Sequence, residues 1–176
     1  LNEVMPILTR QGGNQGACHG KGAGQNGFRL SLRGYAPEMD HRWLTRELVG
    51  RRINPAVPEQ SLLLLKPTGQ SPHEGGRVFD SGSPEYQVLR DWIRAGAPGP
   101  KKDDAKLLRL ELQPGERQLK ANEEVRIKAI GEFSDGSKRD VTWLTKFESN
   151  DVGLISVAPD GRARALRHGE TAIRAS

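Results

Sequence analysis

The chain has 176 residues, which is enough for one large domain or two small ones. Only 35% of the residues are hydrophobic and 5% are aromatic, and the 21 glycines and 11 prolines predict that loops occupy much of the chain. The formal net charge is +5, but the basic residues are scattered and no basic run exceeds a pair, which argues against the clustered stripe of a nucleic-acid-binding protein. No apolar run approaches the roughly 20 residues that span a bilayer, so we also expect no transmembrane segment.

The chain begins with a predicted short helix over residues 1–11, where Val4, Ile7 and Leu8 have the spacing of one apolar helix face. We expect any export signal to have been removed before this point, because the chain opens directly on folded-looking sequence.

A glycine-rich segment follows at residues 12–27, with the sequence GGNQGACHGKGAGQNG. So many glycines disfavour helix and strand. The segment is therefore predicted to be a loop whose backbone passes close to another group. The segment holds the single cysteine, Cys18, followed at once by His19. Cys-His is the second half of a c-type haem attachment motif, in which the cysteine binds a vinyl group and the histidine binds iron. The upstream cysteine of that motif is missing.

The rest of the first half alternates helices and irregular loops. The pattern predicts an extended segment at 28–33, a helix at 37–49, a short turn at 62–65 and a helix from Ser83-Pro84-Glu85 to Gly96. His41 falls on the polar side of the second helix and is predicted to be a solvated surface histidine. His73 falls in an irregular loop over residues 66–76, which we call the His73 loop.

The composition changes near residue 100. We predict a first domain at 1–98, a linker at 99–105 and a second domain at 106–176. The second domain shows short alternating runs separated by turns, which is typical of an all-β sandwich. Its predicted strands are 106–112, 125–130, 141–147, 154–157 and 171–175.

The residues alone leave the chemistry open. His19 could bind haem iron, His73 could be the second axial ligand and Cys18 could form one thioether. Alternatively, Cys18 is a small buried hydrophobic residue, and His73 is a loop histidine hydrogen-bonded to backbone. A zinc site on these three residues is a further alternative. A hydrolytic enzyme is disfavoured because no G-x-S-x-G, H-E-x-x-H or phosphate-binding loop is present.

The first half of the chain also resembles a known family of domains. Residues from about Val4 to Ala97 resemble the planctomycete-type cytochrome c domain of large secreted bacterial proteins. The matching stretches are VMPILTR, GNQGACHGKGAGQNGFRLSLRGY, RRINP, SLLLLKPTG, PHEGG and GSPEYQVLRDWIRAGAP. The resemblance implies a mostly α, loop-rich fold, with Cys18 as the second attachment cysteine, His19 as the proximal ligand and His73 as the distal one. The family usually has its first cysteine where this chain has Gly13.

The second half is similar to bacterial immunoglobulin-like domains of the invasin/intimin kind. The matching stretches are FSDGSKRDVTWLTKFESND and ISVAPDGRARALRHGETAIRA. The resemblance implies an all-β sandwich that acts as a spacer or docking surface. About 70 residues is short for such a sandwich, so we expect its C-terminal edge to be incomplete or closed by another protein.

Two functional hypotheses follow. The first is a periplasmic or extracellular, non-enzymatic docking subunit without a cofactor. It would be built on a degenerate cytochrome-c-like domain and attached to protein partners in a membrane electron-transfer complex, respiratory or photosynthetic. The alternative is a monohaem c-type electron carrier with one thioether at Cys18 and axial ligation by His19 and His73. Gly13 favours the first hypothesis, and the two histidines favour the second.

Overall fold

The computed structural model describes residues 2–176, and the chain divides into two compact units. The first unit ends at Asp104 and the second comprises Ala105–Ser176, so the division falls within the predicted linker at 99–105. Leu1, the first residue of the predicted helix 1–11 and of the predicted domain 1–98, lies outside the described residues.

Short helices joined by loops build the first unit. Its described residues form α1 (Val4–Arg10), α2 (Pro37–Thr45), α3 (Leu62–Leu65) and α4 (Pro84–Arg94). Single 3-10 turns lie at Leu32–Gly34, Glu47–Gly50 and Pro58–Gln60. The helices predicted at the two ends of the unit and the turn at 62–65 are therefore confirmed.

Helix α4 shows why these predictions hold. The Ser83 hydroxyl accepts a hydrogen bond from the Tyr86 N–H at 3.2 Å, and Pro84 occupies the first helical position. The helix buries Leu89 and Ile93 on its apolar face. Capping and the apolar stripe act together, so the local sequence is sufficient to specify the helix.

The expectation of a mostly α, cytochrome-c-like first domain is wrong. Helix of all kinds covers only 25% of the chain, and the described α-helices have 4 to 11 residues. The helix predicted at 37–49 ends at Thr45, and Leu48 and Val49 beyond it adopt left-handed backbone angles, with φ of 51° and 57°, that no α-helix contains. The extended segment predicted at 28–33 likewise runs into a 3-10 turn in which Arg33 has φ of 55°.

Strands of three to seven residues build the second unit. They are β1 (Leu107–Gln113), β2 (Glu124–Arg126), β3 (Lys128–Phe133), β4 (Lys138–Asp140), β5 (Phe147–Ser149), β6 (Ile155–Val157), β7 (Arg162–Ala165) and β8 (Ile173–Ala175). In the part of the chain that is described, they pair antiparallel in three small sheets, ordered β1-β3-β4, β2-β7-β6 and β5-β8. The register places Leu112 opposite Ala129 and Val125 opposite Ala163. Ile127, Ala129, Phe147 and Ala163 form the buried core on which these sheets pack.

The expectation of an immunoglobulin-like sandwich is also wrong. Strands make up 19% of the chain, and they lie in small separate sheets. The strand predicted at 125–130 divides at Ile127, whose N–H donates to the Gly161 carbonyl at 2.8 Å, and β2 and β3 then belong to different sheets. The strand predicted at 141–147 does not form: Thr142–Leu144 is a 3-10 turn, and only Phe147 of the range belongs to a strand. The Asp140 carboxylate starts that turn by accepting from the Thr142 N–H at 3.0 Å and its hydroxyl at 2.6 Å.

Across residues 2–176, no helix combines the length and the apolar character that crossing a membrane requires, as the sequence predicted.

Candidate functional site

A cavity of about 800 Å³ lies in the first unit between the glycine-rich segment and the His73 loop. Its volume is within the range of small-molecule and cofactor sites, about 300–1,000 Å³. The three residues singled out from the sequence, Cys18, His19 and His73, all line it. Much of the remaining wall is apolar and comes from α1, α3, α4 and the loops: Ile7, Leu8, Leu30, Leu63, Val78, Phe79 and Leu89.

The glycine-rich segment holds His19 against the cavity by a tight backbone arrangement. A Cβ atom on Gly20 would lie 2.0 Å from the Asn14 carbonyl oxygen, so this turn requires glycine. The His19 N–H donates to the Gly13 carbonyl at 3.1 Å, and the Leu30 N–H donates to the His19 carbonyl at 2.8 Å. The backbone of His19 is therefore anchored on both sides.

The His19 ring is oriented by Phe28. Nδ1 lies 3.0 Å from the Phe28 carbonyl oxygen, and the two ring centroids are 4.5 Å apart. A carbonyl can only accept, so Nδ1 carries the hydrogen and the neutral ring keeps its lone pair on Nε2. This is the arrangement of a metal-binding histidine, whose second nitrogen donates to a backbone carbonyl.

The His73 ring is also oriented by a hydrogen bond from Nδ1 to a backbone carbonyl, in this case one within its own loop. Its Nδ1 lies 2.9 Å from the Gly76 carbonyl oxygen, and the Gly76 N–H donates back to the His73 carbonyl at 2.9 Å. The Lys66 ammonium donates to the Pro72 carbonyl at 2.9 Å and so joins the first residue of the His73 loop to the residue before His73. The lone pair of His73 is thus also on Nε2 when the ring is neutral.

The site favours the neutral form of His19. Burial lowers the pKa of His19 from its ordinary value of 6.5. The hydrogen bond to the Phe28 carbonyl raises the pKa, whereas positive charge on His73, Arg52 and Lys66 lowers it further. A neutral imidazole is the form that binds a metal.

A hydrogen bond connects the two sides of the cavity. The Gln25 amide donates to the Glu74 carboxylate at 2.7 Å, and both residues line the cavity. Hydrogen bonding, first from Gln25 and then from Asn26, lowers the pKa of Glu74. We call the Gln25–Glu74 contact the clasp.

Sequence reasoning missed several lining residues. Arg51, Arg52 and Lys66 contribute positive charge to the wall, and Phe28 contributes its ring. The pair Arg51-Arg52 was visible as one of the few basic pairs, but nothing in the sequence indicated that Arg52 would be only 6% exposed.

The thiol chemistry of the site is limited to one residue. Cys18 is a free, half-buried cysteine on the cavity wall. Gly13 also lines the cavity, and a Cβ atom there would approach only the Leu8 carbonyl oxygen, at 3.3 Å. Position 13 therefore has nearly enough space for a side chain, and its glycine is not required by the fold in the way that Gly20 is.

His41 occupies a different place and is not among the described residues that line the cavity. The prediction of a solvated surface histidine is corrected, because the residue is half-buried and its Nε2–H donates to the Ala97 carbonyl at 2.8 Å. Its ring also meets the Trp92 ring edge-on at 6.3 Å.

The zinc alternative gains no support from the geometry. Within residues 2–176, no three histidine, cysteine, aspartate or glutamate side chains form a group that could hold a metal ion.

No model of a known protein family matches the chain, and no curated protein matches it significantly.

Proposed function

We propose that the first unit binds haem, with the iron held between Nε2 of His19 and Nε2 of His73, and that the protein is a non-enzymatic electron carrier. One observation carries this proposal. Two imidazoles, each with Nδ1 committed to a backbone carbonyl, line a single largely apolar cavity.

The chemistry of the cavity fits such a group. A haem supplies four equatorial nitrogens, so two imidazoles complete its coordination. The apolar wall from α1, α3 and α4 would cover the porphyrin faces. Arg51 and Lys66 on the same wall would pair with the propionate groups. The haem iron would supply one-electron chemistry, and the protein would supply the ligands and the exclusion of water.

This proposal does not depend on a cytochrome-like fold, which the structure does not have. It rests on the loops that carry His19 and His73. Cys18 limits covalent attachment to a single thioether, so the haem would be held mainly by coordination and burial. With both axial positions filled by histidine, iron would have no open position for a substrate, which suits electron transfer.

We further infer that the protein acts outside the cytoplasm and that the second unit provides a surface for a protein partner, such as a membrane electron-transfer complex. In the described chain the small sheets of this unit leave strands such as β1 and β4 paired on one side only. Leu107 and Leu108 on β1 are 52% and 68% exposed. Unpaired strand edges and exposed apolar side chains are common features of docking surfaces.

A second candidate is the same docking role without any haem. The specific observation in its favour is Gly13. The thiol of the attachment motif is missing there, although a Cβ atom at this position would be close only to the Leu8 carbonyl oxygen, at 3.3 Å.

The experiment is a titration of the purified protein with ferric haem, followed by visible absorption and by mass. The electron-carrier proposal predicts a stoichiometric complex with the low-spin spectrum of two histidine ligands. A protein that stays colourless and binds no haem would contradict it and support the haem-free alternative.

The variant Gly13→Cys gives a second test. Coexpressed with a haem attachment system, it should move the pyridine haemochrome from the one-thioether to the two-thioether position.

A further inference from the structure

Arg52 is a buried cation that belongs to the cavity wall and that no local sequence signal explains. It is 6% exposed, and it forms an ion pair with Glu47 at 3.0 Å. One guanidinium nitrogen donates to the Trp43 carbonyl, and the other donates to the Gly27 carbonyl, each at 2.7 Å. A single side chain therefore joins the end of α2 to the backbone just before Phe28.

The same guanidinium lies over the Phe28 ring, with its central carbon 4.5 Å from the ring centroid. The Phe28 ring in turn lies 4.5 Å from the His19 ring. The three groups are in consecutive contact, Arg52–Phe28–His19, with the planes of the two rings tilted by 45°. A cation over an aromatic face is attractive, and the attraction is larger when the pair is shielded from water.

Phe28 contacts His19 twice, through its ring and through the carbonyl that accepts from Nδ1. Arg52 holds Phe28 twice as well, through the ring and through the carbonyl of the preceding residue, Gly27. Any displacement of Phe28 would remove both the ring contact and the hydrogen-bond acceptor of His19. The orientation of the His19 ring therefore depends on a residue 33 positions away in the sequence.

We propose that Arg52 is a positioning residue: acting through Phe28, it fixes the ring orientation and the Nδ1–H tautomer of His19, so that Nε2 faces the cavity. Lysine cannot replace it, because a point charge on a flexible stem cannot bond two carbonyls and cover an aromatic face together. The role of His19 as an iron ligand rests on the proposed function, but the tautomer does not.

The test reads the tautomer directly in the full chain purified without haem. Long-range ¹H–¹⁵N NMR at constant neutral pH distinguishes Nδ1–H from Nε2–H in each histidine. The wild-type protein should show a single Nδ1–H pattern for His19. Arg52→Gln and Arg52→Lys should both give averaged signals from two tautomers. A His19 pattern unchanged in both variants would overturn the proposal.

Two further variants separate positioning from general stability. Leu44→Val removes a methylene from a side chain that is 1% exposed in the core of the same unit, so it should lower the thermal midpoint while leaving the His19 pattern unchanged. If it changed the pattern as much as Arg52→Gln does, the positioning role would be rejected.

Phe28→Leu keeps Arg52 but removes the ring between it and His19. It should give the same averaged signals, and this test holds even if Arg52→Gln fails to fold. A single Nδ1–H pattern in Phe28→Leu would contradict a positioning role that acts through the Phe28 ring.

A second experiment measures the haem affinity of the same variants by titration. Loss of outer-shell support for a histidine ligand typically costs about 10–100-fold in affinity, and we expect that loss for Arg52→Gln and Arg52→Lys. Wild-type affinity in both variants would contradict the positioning role. If no variant and no wild-type protein binds haem, the proposed function fails, and the NMR result still decides whether Arg52 positions His19.

Discussion

The two sides of the cavity present the same chemical group in different ways. His19 lies in a backbone turn that requires glycine at position 20, and its ring contacts the Phe28 ring, over which the buried Arg52 lies. His73 lies in a loop whose neighbouring residues are exposed, and its ring is bonded only three residues away, to Gly76. Long-range contacts thus fix one histidine, and local contacts fix the other.

Under the proposed function, this difference predicts different roles for the two histidines. A ligand whose orientation is set in advance loses little entropy when it binds. A ligand on an exposed loop with few tertiary contacts can move, because such loops open at low free-energy cost. If haem binds as proposed, we expect His19 to be the anchoring ligand and His73 the exchangeable one.

The largest expected effect is that of His19→Ala. Removing the anchoring ligand should lower haem affinity by at least about 100-fold, the upper end of what losing outer-shell support alone costs. The measurement is an absorption titration with ferric haem. His41→Ala is the matched control, since that histidine bonds to Ala97 away from the cavity and its loss should leave the titration unchanged. If His19→Ala and the wild type bound haem with equal affinity, His19 would not be the anchoring ligand.

His73→Ala should have a smaller effect, about 10-fold in affinity, because His19 and the apolar wall remain. The spectrum should change from low spin to high spin as one axial position opens. Added imidazole should restore the low-spin form. If His73→Ala weakens binding more than His19→Ala does, the assignment of anchor and exchangeable ligand is reversed.

Breaking the clasp should have a smaller effect again. Glu74→Ala removes the acceptor for Gln25 and frees the His73 loop from the glycine-rich segment. We expect haem dissociation to accelerate by only roughly two- to fivefold, because a single solvent-exposed hydrogen bond contributes little. The control is Glu38→Ala on α2, another exposed glutamate. A dissociation rate in Glu74→Ala equal to that of the control would show that the clasp does not retain the ligand.

The smallest effect concerns pH in the haem-free protein. Because burial lowers the pKa of His19, the folded unit keeps the ring neutral at a pH where the unfolded chain already binds the proton. The free energy of unfolding should therefore decrease as the pH falls below about 6.5, until the lowered pKa of the folded state is reached.

His19→Gln tests this contribution, since it removes the titrating group. Denaturant unfolding at several values between about pH 8 and pH 5 should show a shallower pH dependence for the variant than for the wild type. Identical slopes would mean that the environment of His19 does not disfavour the charged ring.

Part of the fold could be predicted from neighbouring residues. The Ser83-Pro84 cap and the apolar stripe specify α4, and the apolar spacing of Val4, Ile7 and Leu8 specifies α1. The end of α2 could not be predicted, because neither Leu48 nor Val49 is a residue type that signals the left-handed geometry that both adopt. The division between β2 and β3 was equally hidden, since it depends on a bond from Ile127 to Gly161, 34 residues along the chain.

The sequence by itself determined which atoms can bind a ligand: the Cys18-His19 pair, His73 and the absence of a thiol at position 13 are properties of single positions. Only the tertiary structure decided that His19 and His73 share one cavity and that a buried arginine supports one of them. The physical reason is that residue types and short periodicities act over a few residues. The stack of Arg52 on Phe28 and the Gln25–Glu74 clasp join segments 24 and 49 residues apart, and they form only when the whole unit is packed.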